Sequence, residues 1–245
     1  MKKCLLITDN GYLHRRYVAL LREKFPQLFP LFDFRRSFTS QRAKMYEEGI
    51  EKLSEINVKT EWPSIIAEYG MVFSLHCKQI FPPELVRGVQ CINIHPGYNP
   101  INRGWYPQVF AINEGTVIGV TIHEMDEEID RGKIIARQRV PIFSTDTSID
   151  VYERVLDAEI LLLEQNLLQI VENRYKAFSP ETEGVYHSRK DFLNLCQLDV
   201  EKVMPLKQAI NLLRSLTHGA YPNAYFIDEN GDKVFVKILL SKAPK

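Results

Sequence analysis

Short apolar runs alternate with segments of helical periodicity along the first half of this chain, and that alternation limits its possible folds. The runs at residues 4–7, 71–75 and 89–94 ("CLLI", "MVFSL" and "VQCINI") are mainly apolar, as in strands buried on both faces. Helical spacing of apolar residues runs through "LHRRYVALLREKF", "SQRAKMYEEGIEKLSEI" and "EWPSIIAEYG". Strands that alternate with helices predict an α/β fold with a mostly parallel, Rossmann-like sheet.

The pattern changes in the second half of the chain. Two further strands are predicted in "IGVTIHEM" and "KIIARQRVPI", and a long helix follows in "SIDVYERVLDAEILLLEQNLLQIVENRYKAF". Either Thr145 or Asp146 can cap that helix at its N-terminus. We expect the helix to close a main domain that spans residues 1–178.

A smaller module is predicted over residues 179–245. It starts with the turn-rich segment "SPETEGVYHSRKDF" and continues with a helical stretch, "PLKQAINLLRSLTHG", for which Gly219 is a plausible end. Two alternating runs then flank Glu229, Asn230 and Gly231, which is a strong signal for a β-hairpin. An isolated hairpin is only marginally stable. We therefore expect the module to pack on the main domain or on a second subunit, and we predict a homodimer with two-fold symmetry.

The balance of charges and the spacing of the cysteines limit the possible binding partners and the cellular compartment of the protein. The chain has 31 basic and 31 acidic residues, so no net field attracts nucleic acid or an anionic membrane. No apolar run approaches the roughly 20 residues that cross a bilayer, and the N-terminus has no signal-peptide core. The four cysteines form no C-x-x-C pair. These features predict a cytoplasmic protein that binds neither nucleic acid nor membrane.

Several familiar catalytic motifs are absent from the sequence. It has no G-x-G-x-x-G, no P-loop pattern and no G-x-S-x-G, which argues against a dinucleotide site, a P-loop and an α/β-hydrolase. No H-E-x-x-H occurs, and the six histidines are scattered. We expect no metal site.

The segment "CINIHPGYNPINRGWYPQ" at residues 91–108 combines more polar and aromatic groups than a hydrophobic core uses. Asn93 and His95 are two apart on a predicted strand, so they point to one face near its carboxyl end, where open α/β sheets bind ligands. Asp130 precedes Gly132 in a later loop and could hydrogen-bond an imidazole. Alternatively, Asn93 ties down a loop, His95 is a core histidine and Asp130 is a turn residue.

Taken together, the Asn93-x-His95-Pro96 strand end and the Asp130-x-Gly132 loop resemble the folate-dependent formyltransferases over roughly residues 1–178. Four further segments extend the resemblance over nearly the whole chain. They are "HPGYNPINRGWYPQ", "TIHEMDEEIDRGKII", "DTS" and "LRSLTHGAYPNAYF". They are similar to sugar N-formyltransferases, which act on nucleotide-linked 4-amino-4,6-dideoxy sugars, commonly dTDP-linked.

The resemblance implies a reaction and three catalytic residues. A formyl group would pass from 10-formyl-tetrahydrofolate to the amine of a sugar such as dTDP-4-amino-4,6-dideoxyglucose, for surface polysaccharide (O-antigen) biosynthesis. The Asn93 amide and the protonated His95 ring would donate to the tetrahedral oxyanion. Asp130 would orient His95 and accept the amine proton through a water molecule.

The resemblance also implies two binding regions. The acceptor sugar would lie against the loop at residues 97–108, and the diphosphate near the start of the first helix. The expected substrate contacts are Asn10, Gly11, Lys78, Tyr98, Asn99, Arg103, Trp105 and Tyr106. Lys78 could instead be a solvated surface lysine. The expected folate contacts are His76, Gln79, Ile80, Met125, Asp126 and Ile129, with His123 supporting their loop.

Three other functions remain open at the level of sequence. A methionyl-tRNA formyltransferase shares the motifs, but this chain has only a short helix and hairpin where that enzyme carries a basic barrel. A formyl-tetrahydrofolate hydrolase could use the same groups with water as the nucleophile. A non-catalytic nucleotide-sugar binding module would not need the full Asn, His and Asp set.

Overall fold

The computed structural model describes residues 2–38 and 49–243. The strands are β1 (Lys3–Thr8), β2 (Phe32–Ser37), β3 (Glu55–Ile56), β4 (Tyr69–Leu75), β5 (Gln90–His95), β6 (Arg103–Gly104), β7 (Ile118–Glu124), β8 (Ile134–Val140), β9 (Tyr186–His187), β10 (Tyr225–Ile227) and β11 (Lys233–Phe235). The helices are α1 (Gly11–Lys24), α2 (Val58–Glu68), α3 (Pro83–Gly88), α4 (Pro107–Glu114), α5 (Ser148–Val171), α6 (Arg189–Cys196) and α7 (Leu206–Leu216).

Seven strands form the central sheet in the order β3-β2-β1-β4-β5-β7-β8. The first five run parallel, β7 is antiparallel to β5, and β8 is antiparallel to β7. The prediction of a mostly parallel α/β sheet is therefore confirmed. The carboxyl ends of β1, β4 and β5 meet at one edge, where the polar residues of interest lie.

Apolar residues lie on both faces of β1, which explains why polar and apolar residues do not alternate in its sequence. Leu6 faces a cluster that includes Leu13 of α1 and Val155 of α5. Leu5 faces the opposite cluster, which includes Ile65 of α2. Helices thus cover both faces of the sheet, and every β1 side chain from Cys4 to Thr8 is buried whichever way it points.

The C-terminal helix and hairpin pack on the main body through α4. Val109 and Phe110 of α4 are buried in one apolar cluster with Phe192, Leu216 and Ala224. β10 and β11 pair antiparallel, as predicted for the hairpin. The module therefore has a core that it shares with the rest of the chain.

Some local predictions were wrong or incomplete. Residues 40–48 of the second predicted helix lie outside the described residues, and its remainder forms turns and then β3, because Ile56 pairs with Ser37 of β2. The sequence patterns did not predict β2, α3, α4 or α6. The cap of α5 is Thr147, in a reciprocal pair with Asp150, and not Thr145 or Asp146.

None of the helices described within residues 2–38 and 49–243 is long and apolar enough to span a membrane.

Candidate active site

The carboxyl end of β5 lies beside β7, and their register determines which side chains meet. Asn93 pairs with His123 across the two antiparallel strands. Residues opposite each other on paired strands share a face of the sheet. The Asn93 amide nitrogen lies 3.2 Å from His123 Nε2 and donates to Asp130 Oδ1 at 3.1 Å. The side chains of Asn93 and Asp130, predicted from separate motifs, are therefore in direct contact.

His95 is buried, and both of its ring nitrogens face oxygen atoms. Nε2 donates to the carbonyl oxygen of Asn102 at 2.7 Å. Nδ1 lies 3.6 Å from Asp130 Oδ2. Each ring nitrogen of His95 thus faces an oxygen atom, and the Asp130 carboxylate is placed to orient the ring.

Asp130 has a left-handed backbone, with φ of 54°, and its side chain turns into the protein. Oδ2 accepts a hydrogen bond from the Gly104 amide at 3.0 Å, and the Asp130 carbonyl accepts one from Asn99 Nδ2 at 3.0 Å. Burial opposes the charged form of the carboxyl, but the neighbouring charge of His95 and the hydrogen bond and charge of His123 outweigh it. The pKa of Asp130 consequently lies well below its ordinary value.

His123 completes the cluster from β7. Its Nδ1 donates to the carbonyl oxygen of Glu124 at 2.7 Å, so Nε2 faces Asp130 Oδ1 at 3.5 Å. The loop after β7 must approach that same carbonyl closely. A Cβ atom on Gly132 would lie 1.7 Å from the Glu124 oxygen, which explains why the Asp-x-Gly motif ends in glycine.

A polar pocket of about 270 Å³ opens beside Asp130. Its lining comes from Pro100, Arg103, Asp130, Arg131 and the segment 179–183. Nε of Arg103 and Oδ1 of Asn99 are buried without a hydrogen-bond partner among the described residues. The surroundings of Asp130 therefore include a guanidinium nitrogen and an amide oxygen that can bind water or substrate.

The residues predicted to bind the acceptor sugar divide into packed and accessible ones. Tyr98 lies under Arg137, whose guanidinium carbon is 4.6 Å from the ring centroid, and Asn99 is only 1% exposed. Tyr106 stacks on Phe192, with ring centroids 3.9 Å apart. These three side chains are packed against other parts of the protein, whereas Trp105 is exposed and Arg103 lines the pocket.

The residues predicted to bind the diphosphate lie at the edge formed by β1 and β4. Asn10 is buried and caps α1, since its Oδ1 accepts from the Leu13 amide at 3.1 Å. Gly11 is the first residue of that helix. The side chain of Lys78 is exposed, and its backbone amide donates to Asp9 Oδ2 at 2.8 Å. The exposed ammonium and the helix N-terminus therefore lie on adjoining loops that Asp9 ties together.

The residues predicted to bind folate also divide into two groups. The Gln79 side chain is tied to the backbone, because it donates to the Ile56 carbonyl at 2.9 Å and accepts from the Val58 amide at 3.1 Å. Met125 packs partly buried against the apolar cluster beneath α3. Ile80 and Ile129 are exposed. Asp126 is exposed and accepts from the Glu128 amide within a turn.

His76 turns toward α5, where sequence reasoning identified no functional residue. Its Nε2 lies 3.0 Å from each carboxylate oxygen of Glu159. Glu159 is fully buried on a helix face that is otherwise apolar. A glutamate among Val155, Leu156 and Leu163 is the signal in the sequence that could have identified it.

No cluster of three or more histidine, cysteine, aspartate or glutamate side chains suited to a metal ion occurs within the described part of the chain.

The chain is similar to two known protein families and to a known enzyme. The sequence profile described as "Formyl transferase" matches residues 35–167, and the profile "N-formyltransferase dimerization C-terminal domain" matches residues 191–242. The chain is 47% identical over 199 residues to the dTDP-4-amino-4,6-dideoxyglucose formyltransferase of Mycobacterium tuberculosis, covering 80% of this chain and 85% of that protein.

Two solved structures have the same fold. A sugar N-formyltransferase from a Shewanella species superposes with a TM-score of 0.93 at 41% identity and covers the whole of both chains. An N-formyltransferase from Helicobacter canadensis, solved with folinic acid and dTDP-3-aminofucose, superposes with a TM-score of 0.69. That likeness covers 88% of this chain and 80% of the other at 21% identity, and it concerns the fold alone.

Proposed function

Because the chain belongs to the formyl transferase family, we propose that it is a sugar N-formyltransferase with dTDP-4-amino-4,6-dideoxyglucose as acceptor and 10-formyl-tetrahydrofolate as donor. The observation that carries the proposal is the contact of Asn93, His95 and Asp130 in one cluster. The 47% identity to the M. tuberculosis enzyme supports the acceptor. The match to the formyl transferase profile over residues 35–167, together with the Asn93-x-His95 and Asp130-x-Gly132 motifs, supports a folate donor.

The reaction forms one C–N bond and breaks another. The sugar amine attacks the formyl carbon, the carbonyl oxygen becomes an oxyanion, and the tetrahedral intermediate then releases N10 of tetrahydrofolate. One proton leaves the amine nitrogen and one reaches N10. The protein must therefore stabilise an oxyanion and move a proton between two nitrogens.

The three clustered side chains suit those tasks. One amide hydrogen of Asn93 orients Asp130, and the hydrogen that faces His123 is the one we assign to the oxyanion. The charged His95 ring adds electrostatic stabilisation and supplies a proton toward N10. Asp130 fixes that ring and accepts the amine proton through water. A single preorganised oxyanion donor typically contributes ~10²–10³ in rate.

We assign the substrates to two sides of this cluster. The nucleotide diphosphate lies near Lys78 and the N-terminus of α1, where a cation and the positive end of a helix attract anions. Trp105 and Arg103 contact the sugar. The exposed apolar surface of Ile80 and Ile129 covers the pterin ring of the folate.

We also infer that two chains associate through residues 179–245. Several apolar side chains of this module are exposed, including Val203, Leu206, Phe235 and Leu239. A solvated surface rarely concentrates that much apolar area. The name of the matching C-terminal profile, which describes a dimerization domain, supports a homodimer.

The proposed setting is the bacterial cytoplasm and the supply of formylated sugars for surface polysaccharide. All four cysteines are free thiols, as expected in a reducing compartment. A nucleotide-linked sugar carries its own leaving group. A later glycosyl transfer can therefore use the product directly.

Turnover assays with matched acceptors test the proposed function. The protein is incubated with 10-formyl-tetrahydrofolate and dTDP-4-amino-4,6-dideoxyglucose, with methionyl-tRNA, or without an acceptor. Formylation of the amino sugar, seen as a mass gain of one carbonyl group, supports the proposal. Formylation of methionyl-tRNA or release of formate without an acceptor would establish one of the alternative enzymes, and binding of the sugar without turnover would establish a binding module.

A further inference from the structure

Glu159 is a charged side chain where the surrounding helix face is apolar. It is fully buried on α5, within one turn of Val155 and Leu163. Burying a carboxylate is costly unless a hydrogen-bonded partner offsets the lost solvation. Among the described residues that partner is His76, whose Nε2 lies 3.0 Å from both oxygens. A functional role would explain why a carboxylate is buried here despite the loss of solvation free energy.

His76 is held in an unusual conformation by its surroundings. Its φ is 58°, in the left-handed region that residues with a Cβ rarely adopt. Such strained residues persist where neighbours determine them, and they cluster at functional sites. Nε2 faces the two Glu159 oxygens and Nδ1 faces the Tyr152 hydroxyl at 3.3 Å, so a hydrogen on Nε2 satisfies both contacts and fixes the orientation of the ring.

The position of His76 connects this pair to the proposed nucleotide site. His76 follows Leu75, which pairs with Thr8 at the carboxyl end of β1, directly before the loop that begins α1. Lys78 lies two residues further, and Asp9 accepts a hydrogen bond from its backbone amide. The imidazole, the lysine and the positive end of α1 therefore share one corner of the sheet.

We propose that Glu159 is a positioning residue for the diphosphate of the nucleotide. It holds His76 in one tautomer and one backbone conformation, so that the imidazole and the segment 76–78 form a preorganised wall beside α1. The inference rests on the proposed function, since it assigns a role within the same substrate site. It also moves His76 from the predicted folate contacts to the nucleotide side.

Two substitutions separate this role from general packing. Glu159→Met keeps an unbranched chain of similar length without an acceptor oxygen, and Glu159→Gln keeps one acceptor oxygen without the charge. The matched control is Glu164→Gln on the same helix, because Glu164 is partly exposed and pairs with Lys24 at 3.7 Å. Binding of dTDP and of thymidine, which has no phosphate, is measured by calorimetry on each full-length variant.

We expect the dissociation constant for dTDP to rise about tenfold in Glu159→Met, by less in Glu159→Gln and not at all in Glu164→Gln. Thymidine binding should stay unchanged in all three. In turnover assays KM for the nucleotide sugar should rise, while kcat and KM for the folate stay within about twofold of wild type. A purely structural role would alter all of these values together.

Histidine ¹⁵N–¹H correlation spectra provide a second measurement that needs no substrate. The wild-type spectrum should show His76 protonated at Nε2, with its signals identified by their loss in His76→Gln, and Glu159→Met should abolish that single tautomer. An unchanged tautomer in Glu159→Met, or wild-type dTDP affinity in both Glu159 variants, overturns the inference. Wild-type protein that does not bind dTDP would refute the substrate assignment, while the spectra still decide whether Glu159 positions His76.

Discussion

Nδ1 of His95 and Oδ2 of Asp130 lie 3.6 Å apart, on residues that are 35 positions apart in the chain. The same Oδ2 accepts a hydrogen bond from the Gly104 amide, and Oδ1 accepts one from Asn93. Asp130 therefore joins the end of β5, the loop at residues 97–108 and the imidazole in a single polar cluster. Its depressed pKa keeps the carboxylate ionised at neutral pH, next to the His95 ring.

Substitution of His95 by Asn should remove most of the activity without unfolding the protein. The shorter amide can place its nitrogen where Nδ1 lies, facing Asp130, but it carries neither positive charge nor a transferable proton. We expect kcat to fall by ~10²–10⁴ and the dissociation constant for dTDP to stay near the wild-type value. Steady-state kinetics and calorimetry measure both quantities. A variant with wild-type kcat would contradict the assigned role of His95.

Substitution of Gly132 by Ala should disrupt the loop that carries Asp130. The new Cβ would meet the Glu124 carbonyl oxygen at 1.7 Å, so the backbone has to move. We expect a loss of about 3 kcal/mol or more in the free energy of unfolding, together with lost activity. Gly115→Ala is the control, since its Cβ meets nothing within 4 Å and only its φ of 70° is strained. That variant should lose about 1 kcal/mol and remain active.

The free energy of unfolding should decrease as the pH falls through the range in which His218 titrates. Burial lowers the pKa of His218 from 6.5 to about 4 in the folded protein. The unfolded chain therefore binds a proton first, and stability is lost between about pH 6.5 and pH 4. For this group alone we expect a loss of about 2 kcal/mol between pH 7 and pH 5.

Chemical denaturation of wild type and His218→Gln at pH 7 and pH 5 measures this contribution. The ring of His218 lies 5.6 Å from Tyr152 and 5.8 Å from Tyr221, and its Nδ1 lies 3.0 Å from the Ser148 hydroxyl. Since none of these neighbours is acidic, the variant should be less sensitive to pH than the wild type. Equal losses in the two proteins would show that His218 is not responsible.

Charged residues on the exposed apolar surface of the C-terminal module should break the proposed dimer. Leu206 and Phe235 are 76% and 49% exposed. The double variant Leu206→Glu with Phe235→Glu should elute as a folded monomer, because buried unpaired charges oppose association. Light scattering after size exclusion measures the mass. Leu161→Glu, at an exposed position on α5, should leave the dimer intact. A monomeric wild type, or a double variant that remains dimeric, would refute this interface.

Much of the fold and part of the site follow from local patterns in the sequence. Continuous apolar runs identified β1, β4 and β5, since strands covered on both faces need no polar side. The two-residue spacing placed Asn93 and His95 on one face of a strand end. Other elements left weaker signals. In β2 most residues are only partly buried, and α3 and α6 are short, so no long periodic pattern marks them.

Only the tertiary structure decided which polar side chains face one another. The antiparallel register of β5 and β7 brings His123 opposite Asn93, and the packing of α5 against the sheet brings Glu159 to His76. For the same reason, the sequence alone did not decide whether an amide side chain binds the backbone or a substrate. Asn10 and Gln79 bond to backbone groups, and an amide has the same donors and acceptors for a helix end as for a sugar. The spacing of residues in the sequence determines which side chains share a face of one helix or strand. Contacts between different elements depend on how the whole chain packs.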